Sequence, residues 1–211
     1  MEILTAITTY FSGTWGMVEL AGTVFSLICV YLATKHNQWT WFFGALGVIL
    51  FGLLFFEFKL YSDALLQILF FLPMQVWGFY TWRNMAERAS DKSVTKSFGT
   101  DGVSNTFVWA MVIIAIIGLA VINGALMETY TDASFPYADA FTTWMSVFAQ
   151  VLMIRKFWES WVLWIVMDIV AIGIYFAKGL FVVSGLYVVF LILATIGLVK
   201  WYRDWKAQQT A

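Results

Sequence analysis

Trp161-Val-Leu-Trp164-Ile-Val-Met-Asp168 lies inside a long apolar run. Trp161, Trp164 and Asp168 are spaced i, i+3, i+7, so a helix carries two indoles and a carboxylate on one face. A carboxylate near the centre of a membrane span costs about 2.5–3.5 kcal/mol on insertion scales, so it marks a functional site by default. No lysine or arginine stands at matching depth to pair with it.

The surrounding chain supports the membrane reading. Of its 211 residues, 62% are hydrophobic and 12% charged, against about 25% charged in soluble domains. The hydropathy pattern predicts seven spans: Trp15–Thr34, Trp39–Phe56, Ser62–Trp82 with Pro73 kinking it, Phe107–Met127, Asp139–Ile154, Trp161–Ala177 and Leu180–Trp201. Each approaches the ~20 residues that a ~30 Å hydrocarbon core requires. Residues 1–14 are expected at the interface. The polar stretch from Arg83 to Ser104 is the longest break. With seven spans, Lys35, Arg83, Arg88, Lys92, Lys96, Arg155, Lys156, Lys200, Arg203 and Lys206 share one side, and only Lys59 and Lys178 fall on the other. The positive-inside rule then places the N-terminus outside and the C-terminus in the cytoplasm. No cleavable leader is expected, because no basic residue precedes Lys35.

The two ends of the chain resemble each other. At an offset of 120 residues, Glu19 falls on Asp139, Ser26 on Ser146, Lys35 on Arg155 and Trp41 on Trp161. At 119, Lys59 falls on Lys178, Phe71 on Phe190, Gly78 on Gly197 and Trp82 on Trp201. The expected organisation is therefore a 3+1+3 parallel repeat: residues 1–82 as the first three-helix repeat, 83–136 as a cytoplasmic loop plus a linker helix, and 137–211 as the second repeat. Parallel repeats are a transporter architecture, with the substrate site between halves near the midplane.

Polar residues fall on defined faces. The fifth span carries Asp139, Thr142, Ser146 and Gln150 as one stripe; the third carries Gln67, Phe71, Gln75, Gly78 and Trp82. Amides, a hydroxyl and a carboxylate amid 19% aromatic residues suit a flat, polar, cationic ring, which gains cation–π energy once desolvated. Trp39, Trp41, Trp82, Trp161 and Trp201 lie near span ends, where aromatic belts also place tryptophans. His36, the single histidine, is read as a surface loop residue, and Cys29, the single cysteine, can form no intramolecular disulfide. Without a phosphate-binding glycine loop, a Ser–His–Asp set or a Cys/His cluster, no enzyme activity, cofactor, metal or nucleic-acid partner is expected.

Phe42-Phe43-Gly44, FGLLFFEFKLY at Phe51–Tyr61, LLQILFF at Leu65–Phe71, WGFYTW at Trp77–Trp82, LMIRKFWESWVLW at Leu152–Trp164 and LYVVFLILATIGLVKW at Leu186–Trp201 resemble the Pnu family of bacterial vitamin transporters over nearly the whole chain. The resemblance implies an all-α fold like a full-length relative of the SWEET sugar transporters, placed in the bacterial inner membrane. It also implies facilitated diffusion, trapping by a cytoplasmic vitamin kinase, lipid as surroundings and a homotrimer. In the nicotinamide riboside branch, Asn tends to stand where this chain has Asp168, Gln75 and Gly47, and Tyr-Gly-Trp where it has Trp77-Gly78-Phe79. A carboxylate facing a cationic ring with an amino group slightly favours thiamine, with nicotinamide riboside the alternative and a membrane sensor the second. The expected substrate contacts are Trp161, Trp164, Asp168, Gln75, Gln150, Gln67, Ser146, Phe71 and Trp77.

Overall fold

The computed structural model describes residues 13–57, 64–88, 95–96, 105–131, 135–177 and 181–210. Among these the chain is helical: α1 (Thr14–Thr34), α2 (Trp39–Glu57), α3 (a π-helical turn at Leu66–Phe71 running into Leu72–Arg88), α4 (Asn105–Tyr130), α5 (Pro136–Ile154), α6 (Ser160–Ala177) and α7 (Phe181–Gln209). Five of these helices are long and apolar enough to cross a membrane: α1, α2, α4, α6 and α7. The other two are the ones with built-in irregularity or polarity. The π turn divides α3, and the Asp139-to-Gln150 stripe lowers the hydropathy of α5. Lys59, Lys178, Asp132, the span starts at Ser62 and Leu180, residues 1–12 and most of the 83–104 loop lie outside the described residues.

The irregularity in α3 falls just before Pro73 rather than at it. The Leu72 N–H reaches back to the Gln67 carbonyl, a widened turn that relieves the clash between a proline ring and the carbonyl four residues earlier. α7 runs past Trp201 into the polar tail, because nothing from Tyr202 to Gln209 breaks a helix.

The chain divides into two compact units, Met1–Ser90 and Asp91–Ala211. In the first, α2 packs against both α1 and α3; in the second, α4 packs on α5, α5 on α6 and α6 on α7. The α1–α2 turn closes with the Asn37 N–H donating to the Leu32 carbonyl (3.1 Å) and the His36 N–H to Ala33 (3.0 Å). His36 is left-handed at φ 54°. The α5–α6 turn closes in the same way: Phe157 N–H to Leu152 (3.0 Å), Lys156 N–H to Met153 (3.0 Å), with Lys156 at φ 60°. Both are Schellman closures without the usual glycine. His36 is buried within its turn, which corrects the surface reading: the left-handed residue belongs to the helix end rather than to an open loop.

Packing inside the first unit relies on glycine. A Cβ on Gly47 would stand 2.8 Å from Ser26 Oγ, and one on Gly52 2.8 Å from Ile68. Such close approach supplies the van der Waals contact that drives helix association in lipid. In the second unit, Tyr137 covers Gly124 and donates its hydroxyl to Glu128 Oε2 at 2.7 Å, tying α5 to α4. Two backbone bonds, Lys96 N–H to the Lys156 carbonyl (2.9 Å) and Trp158 N–H to the Lys96 carbonyl (3.1 Å), pin residues 95–96 to the α5–α6 turn.

Candidate substrate-binding site

Four of the five tryptophans near the span ends pack in pairs. Trp41 and Trp82 meet edge-to-face at 5.3 Å and 89°; Trp161 and Trp201 meet at 5.5 Å and 87°. All four are buried. Trp41 lies over Gly78, and Trp161 over Gly197, where an added Cβ would stand 2.5 Å from the indole. Each unit is thus closed by one indole seated on a glycine and braced by a second indole. Trp161, expected as a substrate contact, packs within its own unit. Its ring is occupied by Gly197 and Trp201, because the small residue beneath it invites the protein's own packing. Trp39, 51% exposed, is the one of the five that fits a belt.

On α6, Trp164 is half-buried and packs against the second unit's core of Val112, Ile116, Met145, Ala149, Leu152, Leu163, Met167 and Ala171. Asp168 is 3% exposed, and among the described residues no hydrogen bond or ion pair reaches its carboxylate. An uncompensated buried carboxylate is costly to the fold. Around the same core stand Trp109, Phe141, Trp144, Phe148, Tyr175 and Tyr187, all half-buried. Tyr175 and Tyr187 stack at 5.2 Å with 21° between their planes. Tyr187 is hydrogen-bonded to Tyr175 and lies within the electrostatic reach of Asp168.

The α5 stripe is divided in its availability. Ser146 donates its hydroxyl to the Thr142 carbonyl at 2.7 Å, leaving it only acceptor capacity. Gln150 is buried on the helix that packs against α6. Five of the expected residues, Trp161, Trp164, Asp168, Ser146 and Gln150, therefore share the second unit.

The other four belong to α3 in the first unit. Gln75 is 6% exposed, and its Oε1 is buried without a hydrogen-bond partner. That oxygen occupies the space above Gly44: a Cβ there would meet it at 2.5 Å, with Cys29 Sγ at 3.1 Å. Gln67 and Phe71 are half-buried, and both lie in the π turn. Trp77, 42% exposed, turns away from its unit's interior. Tyr175 and Tyr187, which stack beside this core, are not among the expected contacts. The available signal was that Tyr175 continues the α6 spacing from Asp168 by another seven residues.

Five long apolar helices mark a multi-pass α-helical membrane protein, with a carboxylate buried beside aromatic side chains in its second unit. The chain matches the family model described as nicotinamide mononucleotide transporter over residues 16–203, and it belongs to that family, the Pnu transporters. It is 29% identical over 209 residues to the nicotinamide riboside transporter PnuC of Escherichia coli K12, covering 89% of this chain and 85% of that protein. The PnuC of Neisseria mucosa is 30% identical over 190 residues, covering 85% and 70%. The riboflavin/roseoflavin transporter RibM of Streptomyces davaonensis is 27% identical over 189 residues, covering 89% and 83%. A crystal structure of the vitamin B3 transporter PnuC superposes with a TM-score of 0.72 at 24% identity, covering 98% of this chain and 88% of that one. That likeness shows a shared fold.

Proposed function

We propose that this protein carries nicotinamide riboside across the cytoplasmic membrane by facilitated diffusion, with phosphorylation by a cytoplasmic kinase retaining the vitamin. Asp168 is the observation that carries this reading. A buried carboxylate that no hydrogen bond or ion pair reaches among the described residues, beside half-buried aromatics, fits a solute that brings its own permanent positive charge on a flat ring. The pyridinium of the riboside meets that requirement. So does the thiazolium of thiamine, but the named relatives carry the riboside or riboflavin, which moves the balance from thiamine to the riboside.

In this reading Trp164 stacks on the ring and Asp168 offsets its charge. Gln150, buried on the helix packed against α6, offers an amide to the polar edge. Trp161 supports the face from behind. All seven helices cross the membrane in a three-one-three order of two like triplets, with the N-terminus outside. The two matching indole–glycine–indole closures and the two matching turns support a repeat. The carrier assembles as a homotrimer.

Quenching of the twelve tryptophans in the purified protein by riboside, thiamine and riboflavin tests the assignment. Riboside saturating at the lowest concentration is the expected result. Tighter binding of thiamine or riboflavin would reassign the substrate.

A further inference from the structure

α7 has two unlike sides towards its C-terminal end. Ala194, Gly197 and Trp201 are buried, on the side where Trp161 sits over Gly197. On the other side Ile192, Ile196, Val199 and Arg203 follow one another at i, i+4, i+7 and i+11, all exposed. Three apolar side chains thus lead along one stripe to a guanidinium. The stripe runs into a groove of about 370 Å³, lined among the described residues by Thr195, Ile196, Val199, Lys200, Arg203 and Asp204. The Thr195 hydroxyl is spent as a donor on the Leu191 carbonyl at 2.8 Å. Among the described residues no hydrogen bond or ion pair reaches Lys200 or Arg203. Two cations against the single carboxylate of Asp204 leave the groove net positive. The helix is held at this level from its other side: Tyr202 and Trp205 pack on Trp158 of the α5–α6 turn, with ring centroids 5.1 and 5.9 Å away. A groove that is apolar along its length and cationic at its end matches a molecule with a hydrocarbon chain and an anionic head. A free phosphate ion would leave the apolar part unused.

We propose that this groove binds one anionic phospholipid, with its phosphate between Lys200 and Arg203 and the first part of an acyl chain along Val199, Ile196 and Ile192. The site lies at the end of α7 that the lysine and arginine distribution assigns to the cytoplasm. It uses none of the residues assigned to the solute, so it does not depend on which vitamin is carried.

The test titrates the purified protein in detergent with phosphatidylglycerol or phosphatidylcholine of the same acyl chains, and native mass spectrometry counts the bound lipid. Glycerol 3-phosphate supplies the anion without the chains. Wild type should bind its first phosphatidylglycerol at least tenfold more tightly than its first phosphatidylcholine, since each cation near an anionic head contributes about fivefold. Lys200→Gln and Arg203→Gln should each weaken phosphatidylglycerol about fivefold and leave phosphatidylcholine within twofold, and the double variant should lose the preference. Arg155→Gln, an exposed cation at the same end of the unit but outside the groove, should keep it. An unchanged unfolding temperature in lipid-free detergent checks that each variant is folded. Equal binding of the two lipids by wild type, or a preference that survives in the double variant, would overturn the site. The same loss in Arg155→Gln would also overturn it, by reducing the effect to overall charge. Glycerol 3-phosphate binding as tightly as phosphatidylglycerol would overturn the lipid assignment in favour of a free phosphate.

Discussion

At the residue scale, two positions separate function from packing. Asp168 is buried at a cost the fold does not recover from any described partner. Replacing it with asparagine removes the charge and keeps the shape. We expect wild type to bind the cationic riboside at least tenfold more tightly than its neutral dihydronicotinamide counterpart, the scale of one charge-assisted contact. Asp168→Asn should abolish that preference, and a calorimetric titration that finds the preference intact would remove Asp168 from charge recognition. Gly197 is the opposite case. A methyl group there meets the Trp161 indole at 2.5 Å, whereas one on Gly185 meets nothing within 4 Å. Gly197→Ala should destabilise by about 1–3 kcal/mol through overpacking. Gly185→Ala should be neutral or slightly stabilising, by the ordinary helix preference for alanine of up to about 1 kcal/mol. Unfolding temperatures in detergent would show both.

At the element scale, hydropathy located the helices within a few residues except at three places: the π turn in α3, the run of α3 past Trp82 to Arg88 and the run of α7 past Trp201. The π turn before Pro73 involves a backbone hydrogen-bond shift that side-chain hydrophobicity does not encode. The extension of α7 beyond Trp201 is polar, so a hydropathy reading ends too early. The candidate site was legible where burial opposes chemistry: the sequence singles out Asp168, and the structure buries it. It was illegible where two meanings share one residue type. Tryptophan near a span end signals a belt, a site or a packing pair, and only the glycine opposite, Gly78 or Gly197, marks the third. Tyr187 was hidden because its partner sits on a different helix. The helix turns were likewise unreadable as Schellman closures, since His36 and Lys156 stand where glycine is the usual signal. That geometry makes a prediction for the α5–α6 turn. A β-branched side chain tolerates positive φ poorly, so Lys156→Val should lower the unfolding temperature more than Lys156→Gly. The reverse order would show that the Lys156 side chain, rather than the backbone, holds the turn.

At the scale of the whole molecule, the two units share a construction. Each has a Schellman turn leading into a helix whose first turns carry a tryptophan, and that tryptophan sits on a glycine of a later helix and is braced by a tryptophan four residues beyond it. The units differ where chemistry is concentrated. The second carries Trp164, Asp168 and the tyrosine pair, and the first carries Gln75 with its partnerless amide oxygen. The most direct test is solute counterflow: purified protein in liposomes preloaded with unlabelled nicotinamide riboside and diluted into a trace of labelled riboside, with no nucleotide and no ion gradient. The account predicts rapid, transient accumulation of label, blocked by excess unlabelled riboside outside and strongly reduced in Asp168→Asn. Saturable riboside binding without any exchange of label would contradict it, and would make the protein a receptor rather than a carrier.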